Sequence, residues 1–339
     1  MERAGFLFPV LVVVAGAGAE VDPWVLSSAR LPCDYSSCKF MPSLGNGQLA
    51  MRPQLPAEPA DSDPPSILVN CLYSGAGPTS HRARLPGLAN YRAGLAGPGL
   101  VTNYSLDLRR GEFRSSLQQD GLRVEQTQLV HQVYTRTILS LLEASQAGGE
   151  ETAELEVRLE AGPESEDLLE LETGQLAVPP NTLGLTSLLY WCGQAKVPEY
   201  PEYEPEPGRV CVAWSPAISL SVPPSGASSL LLLTLVDSSL AGLQAELELV
   251  AALPSPAHLL QSHHAAWQEV WQAGSVTVED ELGQLGPALL ASQFYLLSSL
   301  PSQHSARTLP AYCGLSPAGL PHGLEGRDYQ GHRHVLLTR

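Results

Sequence analysis

Imidazoles, carboxylates and thiols are the groups in this sequence that could do chemistry. His263-His264 and the trio His322, His332 and His334 supply ring nitrogens close enough along the chain to ligate a metal ion. No cysteine pair has zinc-finger spacing and no H-E-x-x-H occurs, so packing or surface roles are the simpler reading and no metal is expected. Two carboxylates held at a defined separation can hydrolyse a sugar, one as acid and the other as base or nucleophile. Glu279, Asp280, Glu281, Glu325 and Asp328 are the candidates, but spacing alone sets no pair of them across a glycosidic bond. Helix caps and surface charges are their plainer roles. Gly45-Asn46-Gly47-Gln48-Leu49-Ala50 imitates a dinucleotide fingerprint, which works only between a strand and the helix that follows it. Pro42 stands before this run, and Pro53, Pro56 and Pro59 stand after it, so a tight turn is expected instead. No G-x-S-x-G elbow is present, and no cofactor is expected.

The six cysteines are Cys33, Cys38, Cys71, Cys192, Cys211 and Cys313. Cys33–Cys38 and Cys192–Cys211 are the local pairing candidates, with free buried thiols as the alternative. Asn103-Tyr104-Ser105 is a glycosylation sequon, which makes Asn103 a candidate acceptor. Residues 1–19 carry Arg3, an apolar run from Gly5 to Val14 and the small-residue pattern Ala17-Gly18-Ala19. They read as a secretory signal peptide, which implies a secreted or lysosomal protein, or a cytoplasmic one if the signal is not used. The run is shorter than the roughly 20 apolar residues a membrane span needs, and no later stretch suits one.

These groups need elements to position them. With 339 residues, 44% of them hydrophobic, the chain can build a sizeable core and up to two domains. A net charge of −16 argues against nucleic acid as a partner. The acidity is local. Glu150 to Glu172 holds ten acidic residues and one arginine, and Glu199, Glu202, Glu204 and Glu206 follow in a Pro-rich stretch. A solvated strand face and an acidic loop are the plain reading, and a cation or basic partner is the other.

From 20 to about 250 the texture is β. Leu122, Val124, Leu129, Val133 and Ile138 fall in a Thr-, Val- and Gln-rich stretch. Leu155, Val157 and Leu159 alternate with Glu154, Glu156, Arg158 and Glu160, which predicts a half-buried strand. Val210 to Trp214, Ile218 to Val222 and Leu230 to Val236 continue the series between Pro- and Gly-rich breaks. Near 255 the pattern changes. His258 to Trp271 predicts a helix with Leu259, Ala266, Trp267 and Trp271 on one face. Pro287 then suits a first helical turn, leading into Ala288 to Leu300. That helix is apolar almost all round, which predicts burial between other helices.

Several short segments resemble glycoside hydrolase family 65. Ser43-Leu44-Gly45-Asn46-Gly47 with Arg52 resembles the signature that opens the family's β domain. Leu72-Tyr73-Ser74-Gly75-Ala76-Gly77, His81-Arg82-Ala83 and Leu85-Pro86 resemble its next strand and loop. They are most similar to the branch acting on the glucosyl-α-1,2-galactose unit of collagen hydroxylysine. His264-Ala265-Ala266-Trp267 with Trp271 resembles the linker helix, and Phe294-Tyr295-Leu296-Leu297-Ser298 the first barrel helix. Gly314-Leu315-Ser316-Pro317 and Tyr329-Gln330-Gly331-His332 resemble the approach to the active site.

The resemblance implies a mainly β then α chain. A signal peptide (1–19) precedes a large antiparallel β-sandwich (20–253), a helical linker (254–275) and the start of an (α/α)6 barrel that is not completed (276–339). It implies inverting hydrolysis by a glutamate acid and a base, with glycosylated hydroxylysine of collagen or a related disaccharide as substrate. A trehalose- or maltose-acting hydrolase or phosphorylase relative is the alternative within the enzyme class. A non-catalytic carbohydrate- or protein-binding module is the alternative outside it. Gly331 and His332 match the edge of the site. The expected Phe-Trp-Asp segment does not follow them, so the catalytic glutamate is expected beyond Arg339 and the chain is expected to be inactive. The helix Ala288 to Leu300 is then expected to lack barrel neighbours, and residues after about 275 to be poorly ordered or to drive association.

Overall fold

The computed structural model describes residues 22–28, 42–53, 66–95 and 101–304, apart from 149, 163, 200, 203–204, 277 and 279–284. Among these residues the strands are β1 (Val25–Ser28), β2 (Leu44–Gly45), β3 (Leu49–Met51), β4 (Ser66–Ser74), β5 (His81–Pro86), β6 (Tyr91–Ala93), β7 (Val101–Asp107) and β8 (Glu112–Gln119). They continue with β9 (Leu122–Val130), β10 (Thr137–Gln146), β11 (Ala153–Leu159), β12 (Leu168–Ala177), β13 (Ser187–Ala195), β14 (Arg209–Trp214), β15 (Ile218–Val222) and β16 (Ala227–Asp237). The helices are α1 (Leu240–Ala251), α2 (Pro256–Ala273) and α3 (Leu285–Ser298).

The strands form a nine-stranded sheet in the order β1-β7-β8-β9-β10-β16-β14-β13-β12, a three-stranded sheet β15-β11-β6 and a four-stranded sheet β2-β3-β4-β5. Side-chain alternation gives the large sheet two apolar faces. On one face, Phe113, Val130, Ile138, Val212 and Val236 pack against Leu44, Leu49, Ile67 and Leu85 of the four-stranded sheet. Further along it, Leu117, Val124, Leu142 and Leu232 pack against Tyr91, Leu155, Val157 and Val222 of the three-stranded sheet. The opposite face carries the helices. Leu129, Leu139 and Leu233 meet Val250 and Leu259, while Ala213 and Leu235 meet Leu243 and Leu247.

The period-two reading of β11 is correct: Leu155 and Val157 are buried, and Glu154, Glu156 and Arg158 are exposed. Cys192 and Cys211 face each other across β13 and β14 and form a disulfide. Cys71 is also disulfide-bonded, so free thiols are not found among the described residues. Cys33, Cys38 and Cys313 lie outside the described residues, as does the 1–19 segment.

Two expectations need correction. Helical structure begins at Leu240, not near 255. Ser239 caps α1 by accepting a hydrogen bond from the Gly242 N–H, and Leu243, Leu247 and Val250 bury one stripe against the sheet. Among the described residues α3 is not wrapped by other helices. It buries Leu290 and Phe294 against α2 and the core, while Leu285, Leu296 and Leu300 stay exposed. Among the described residues no helix is long and apolar enough to cross a membrane.

Candidate functional site

The segments singled out in the sequence converge on one junction. The Gly45–Gln48 turn, the loop between β9 and β10, α2 and the end of α3 meet there. Asn46 is fully buried, and its carboxamide is saturated. Its Nδ2 donates to the carbonyls of His131 (2.7 Å) and Thr135 (2.8 Å), and its Oδ1 accepts from the N–H groups of Gln48 and Leu49. Gln132 Nε2 donates to the Gly45 carbonyl, and the Thr135 hydroxyl donates to Gln48 Oε1. The turn expected in place of a nucleotide loop is therefore a brace for β9–β10.

The same turn holds the end of α3. The Gly47 N–H donates to the Ser298 carbonyl at 2.9 Å, and the Ser302 N–H donates to the Asn46 carbonyl. The Ser302 hydroxyl donates to the Gln132 carbonyl at 2.6 Å. Tyr295 is half-buried nearby, its phenol oxygen held by a backbone hydrogen bond from Ser43; burial of that oxygen pushes the phenol up to about 12. Phe294 stacks on Trp267 with ring centroids 5.1 Å apart. These contacts seat the start of the region expected to lack neighbours.

Three histidines line the other side. His131 is buried, its Nδ1 accepting from the N–H groups of Val133 and Tyr134 and its Nε2 donating to the Leu259 carbonyl. His263 is buried 5.3 Å away, with Nδ1 accepting from the Gln132 N–H and Nε2 donating to the Gly111 carbonyl. Burial holds His131 down at about 4 and His263 well below the ordinary imidazole value, so both are neutral. With every ring nitrogen committed to the protein, neither is a free ligand. Among the described residues no group of three or more His, Cys, Asp and Glu could hold a metal ion.

His264 points to Glu112 on β8, with Nε2 2.8 Å from Oε2. Glu112 is buried and also meets the guanidinium groups of Arg114 and Arg110. Burial pushes its carboxyl up, but the His264 hydrogen bond and the charges of Arg114, His264 and Arg110 outweigh that and hold it below the usual carboxylate range. The turn before β8 is shaped to receive α2. Gly111 has φ +63°, and a Cβ there would lie 2.0 Å from the Trp267 Nε1. Trp271 Nε1 donates to the Leu108 carbonyl. Replacing Glu112 by Gln is expected to cost about 1–3 kcal/mol, because the pairing is buried on one side only. Urea melts at neutral pH measure it, and a loss below about 0.5 kcal/mol would show that the ion cluster does not anchor α2.

The His81-Arg82-Ala83 segment lies on β5. His81 Nε2 is 2.7 Å from Asp167 Oδ1, and Nδ1 is 3.0 Å from the Thr79 carbonyl. Burial lowers its pKa, but the Thr79 carbonyl and the Asp167 carboxylate outweigh that and raise it. Arg82 lies over the Tyr73 ring at 5.4 Å. Asn103 is exposed on β7, opposite Ser116 of β8, so the sequon is reachable. Gly331, His332, His322, His334, Glu279, Asp280, Glu281, Glu325 and Asp328 lie outside the described residues.

The junction positions elements: the carboxamide of Asn46 and the rings of His131 and His263 are committed to the protein's own hydrogen bonds. No family model matches the sequence. Curated relatives do match. Protein-glucosylgalactosylhydroxylysine glucosidase of Gallus gallus is 28% identical over 327 residues, covering 93% of this chain and 42% of the relative. The Mus musculus protein of the same name is 29% identical over 321 residues, covering 93% and 43%. A putative kojibiose phosphorylase from the human microbiome shares the fold. Its TM-score is 0.59 at 10% identity, over 88% of this chain and 45% of that one. The chain is similar to glucosidases of the glycoside hydrolase 65 type. It spans about two fifths of the length of those curated relatives.

Sequence reasoning found Asn46, Gly47, Trp267, Trp271 and Phe294 through their motifs. It missed Glu112, His131, Gln132 and Ser302. No local pattern marks them, since each is defined by a partner far along the chain.

Proposed function

We propose that this chain supplies the β-sandwich and first helices of an inverting glucosidase. Its substrate in this reading is the glucosyl-α-1,2-galactosyl unit on hydroxylysine of collagen, from which it releases glucose. Similarity to two glucosidases that extends over 93% of the chain carries the reading. In such a reaction a carboxylic acid protonates the leaving oxygen while a carboxylate activates water on the opposite face, with the two about 6.5–9.5 Å apart. The described residues take neither role. They hold α2 and α3 at a fixed place on the sandwich, from which the catalytic part of the enzyme is built. The disulfide Cys192–Cys211 and the exposed Asn103 support a secretory-pathway protein.

The test joins this chain, in place of the matching region, to the remainder of the Mus musculus relative. Glucose release from glucosyl-galactosyl-hydroxylysine is then measured beside the chain alone. Release by the joined protein only is the expected result. Release by the chain alone would place the acid and base within it, and no release by a folded joined protein would move the substrate elsewhere.

A further inference from the structure

Across β12, β13, β14 and β16 the ladder sets Gln175, Leu189, Trp214 and Thr234 in one row of the large sheet. Thr173, Trp191, Val212 and Val236 form the next row on the same face, the one turned to the four-stranded sheet. At the inner end of both rows Thr234, Val212 and Val236 are buried. Towards β12 the cover runs out: Trp214 and Trp191 are half-buried, Leu189 is 39% exposed, and Thr173 and Gln175 are exposed. These positions form a shelf three strands wide. Its inner wall is the turn after β5, where the Leu88 carbonyl accepts from the Thr234 hydroxyl at 2.6 Å and the Gly87 N–H donates to the Ala161 carbonyl.

The shelf is aromatic and low. A Cβ at Gly193 would lie 2.4 Å from Trp191 Cη2, so this indole reaches along its own strand and lies over the bare backbone at Gly193. Trp214 stands directly opposite Leu189 and diagonally from Trp191, a spacing of about 7–8 Å on a sheet face. A tryptophan packed into protein normally gives its N–H to an acceptor. Trp271 does so, to the Leu108 carbonyl. Among the described residues the N–H groups of Trp191 and Trp214 have no protein acceptor, and they remain in reach of solvent.

These features select the ligand. A purely apolar molecule would cover two indole donors without giving them an acceptor, which costs free energy. A stable protein partner needs about 20–30 residues a side, and the shelf offers three large apolar side chains closed off by a wall. A sugar ring meets both demands. Its C–H face is apolar and faintly positive, so it stacks on the negative face of an indole. Its oxygens can accept from the indole N–H groups, and its hydroxyls can exchange hydrogen bonds with Thr173 and Gln175. We infer that the shelf formed by Leu189, Trp191 and Trp214 binds a neutral oligosaccharide, with successive sugars laid over the two indoles and Thr173 and Gln175 holding their hydroxyls. This inference does not rest on the glucosidase reading, which gives these residues no part.

The test uses the full chain labelled with 5-fluorotryptophan, its fluorine resonances assigned by single Trp→Phe variants. Cellohexaose and maltohexaose are the probes, each titrated to millimolar concentration. With at least one of them, saturable shifts are expected at Trp191 and Trp214, while Trp24, Trp267 and Trp271 stay in place. Trp191→Ala and Trp214→Ala should each weaken binding about tenfold. Gln175→Ala changes an exposed side chain only and should weaken it about threefold. Unmoved resonances of Trp24, Trp267 and Trp271 certify that each variant is folded. Shifts with neither sugar, shifts confined to those three tryptophans, or full affinity in both alanine variants would overturn the inference. So would equal shifts from sorbitol at the same hydroxyl concentration, since sorbitol has no ring to stack. Shifts at Trp191 and Trp214 that follow protein concentration without sugar would put a second copy on the shelf and overturn it too.

Discussion

Substituting alanine for Gly47 should destabilise the chain by about 2–5 kcal/mol, the sum of left-handed strain and overpacking. Gly47 has φ +81°, which L side chains adopt at a cost, and its α-carbon lies against the end of α3. A Cβ there would sit 2.2 Å from the carbonyl carbon and oxygen of Leu300 and 2.3 Å from the Pro301 Cα. All three are backbone atoms, so no rotamer change relieves the clash. The relief must come from moving the end of α3 away. That would stretch the Gly47 to Ser298 bond and the Ser302 to Asn46 bond. Gly184 provides the control: its φ is +77°, and nothing lies within 4 Å of a Cβ built there. Gly184→Ala should therefore cost only the strain, about 1–2 kcal/mol. Urea denaturation of the two variants decides the matter. Equal losses would mean that the seat of α3 on the Gly45–Gln48 turn contributes nothing.

The two glycines look alike in sequence, and that similarity marks how far the chain could be read in advance. What was legible was local and periodic. The alternation of Leu155 and Val157 with charged neighbours fixes a strand face without any knowledge of its partner. The turn at Gly45–Gln48 follows from flanking prolines, and the burial of Leu259, Trp267 and Trp271 from helical spacing. The helix α1 is hard to read because Glu246, Leu247, Glu248 and Leu249 alternate as a strand would, while Leu243, Leu247 and Val250 carry the helical period. The disulfide Cys192–Cys211 could be proposed from proximity, but only the register of β13 and β14 makes it a cross-strand pair. The junction lay further out of reach. Asn46 is satisfied by carbonyls 85 and 89 residues away, and Glu112 meets His264 across 152. Nothing in the sequence near either residue specifies such contacts; they arise once the sheet order brings distant loops together.

The same nonlocal packing predicts a marked loss of stability in mild acid. His131 and His263 each present Nδ1 to backbone N–H donors, so a proton on that nitrogen would face other donors in a site without water-like screening. Their folded pKa values lie below the unfolded one, so the folded state binds fewer protons. Their stabilising contribution is complete above about pH 6.5 and is lost as pH falls toward the folded values. For His131, with 6.5 in the unfolded chain and about 4 in the folded one, the loss is about 2 kcal/mol by pH 5 and about 3 by pH 4. His263 adds a loss in the same direction. Other groups titrate differently: the raised carboxyls of Asp107 and Glu246 make their contributions grow as pH falls. His81 is raised, so its contribution is present in acid and fades as pH rises through its folded value. Glu112 is lowered, so its contribution goes only at pH below the ordinary carboxylate range. Comparing the wild-type chain with His131→Asn cancels these contributions. Asparagine can accept from the Val133 and Tyr134 N–H groups and does not ionise in this range. It should cost about 1–2 kcal/mol at pH 7.5 through the lost Leu259 bond and packing. The variant should then lose about 2 kcal/mol less than the wild type between pH 7 and pH 5. Parallel stability curves for the two proteins across that interval would mean that His131 is not held neutral, and that the junction does not set the acid limit of the fold.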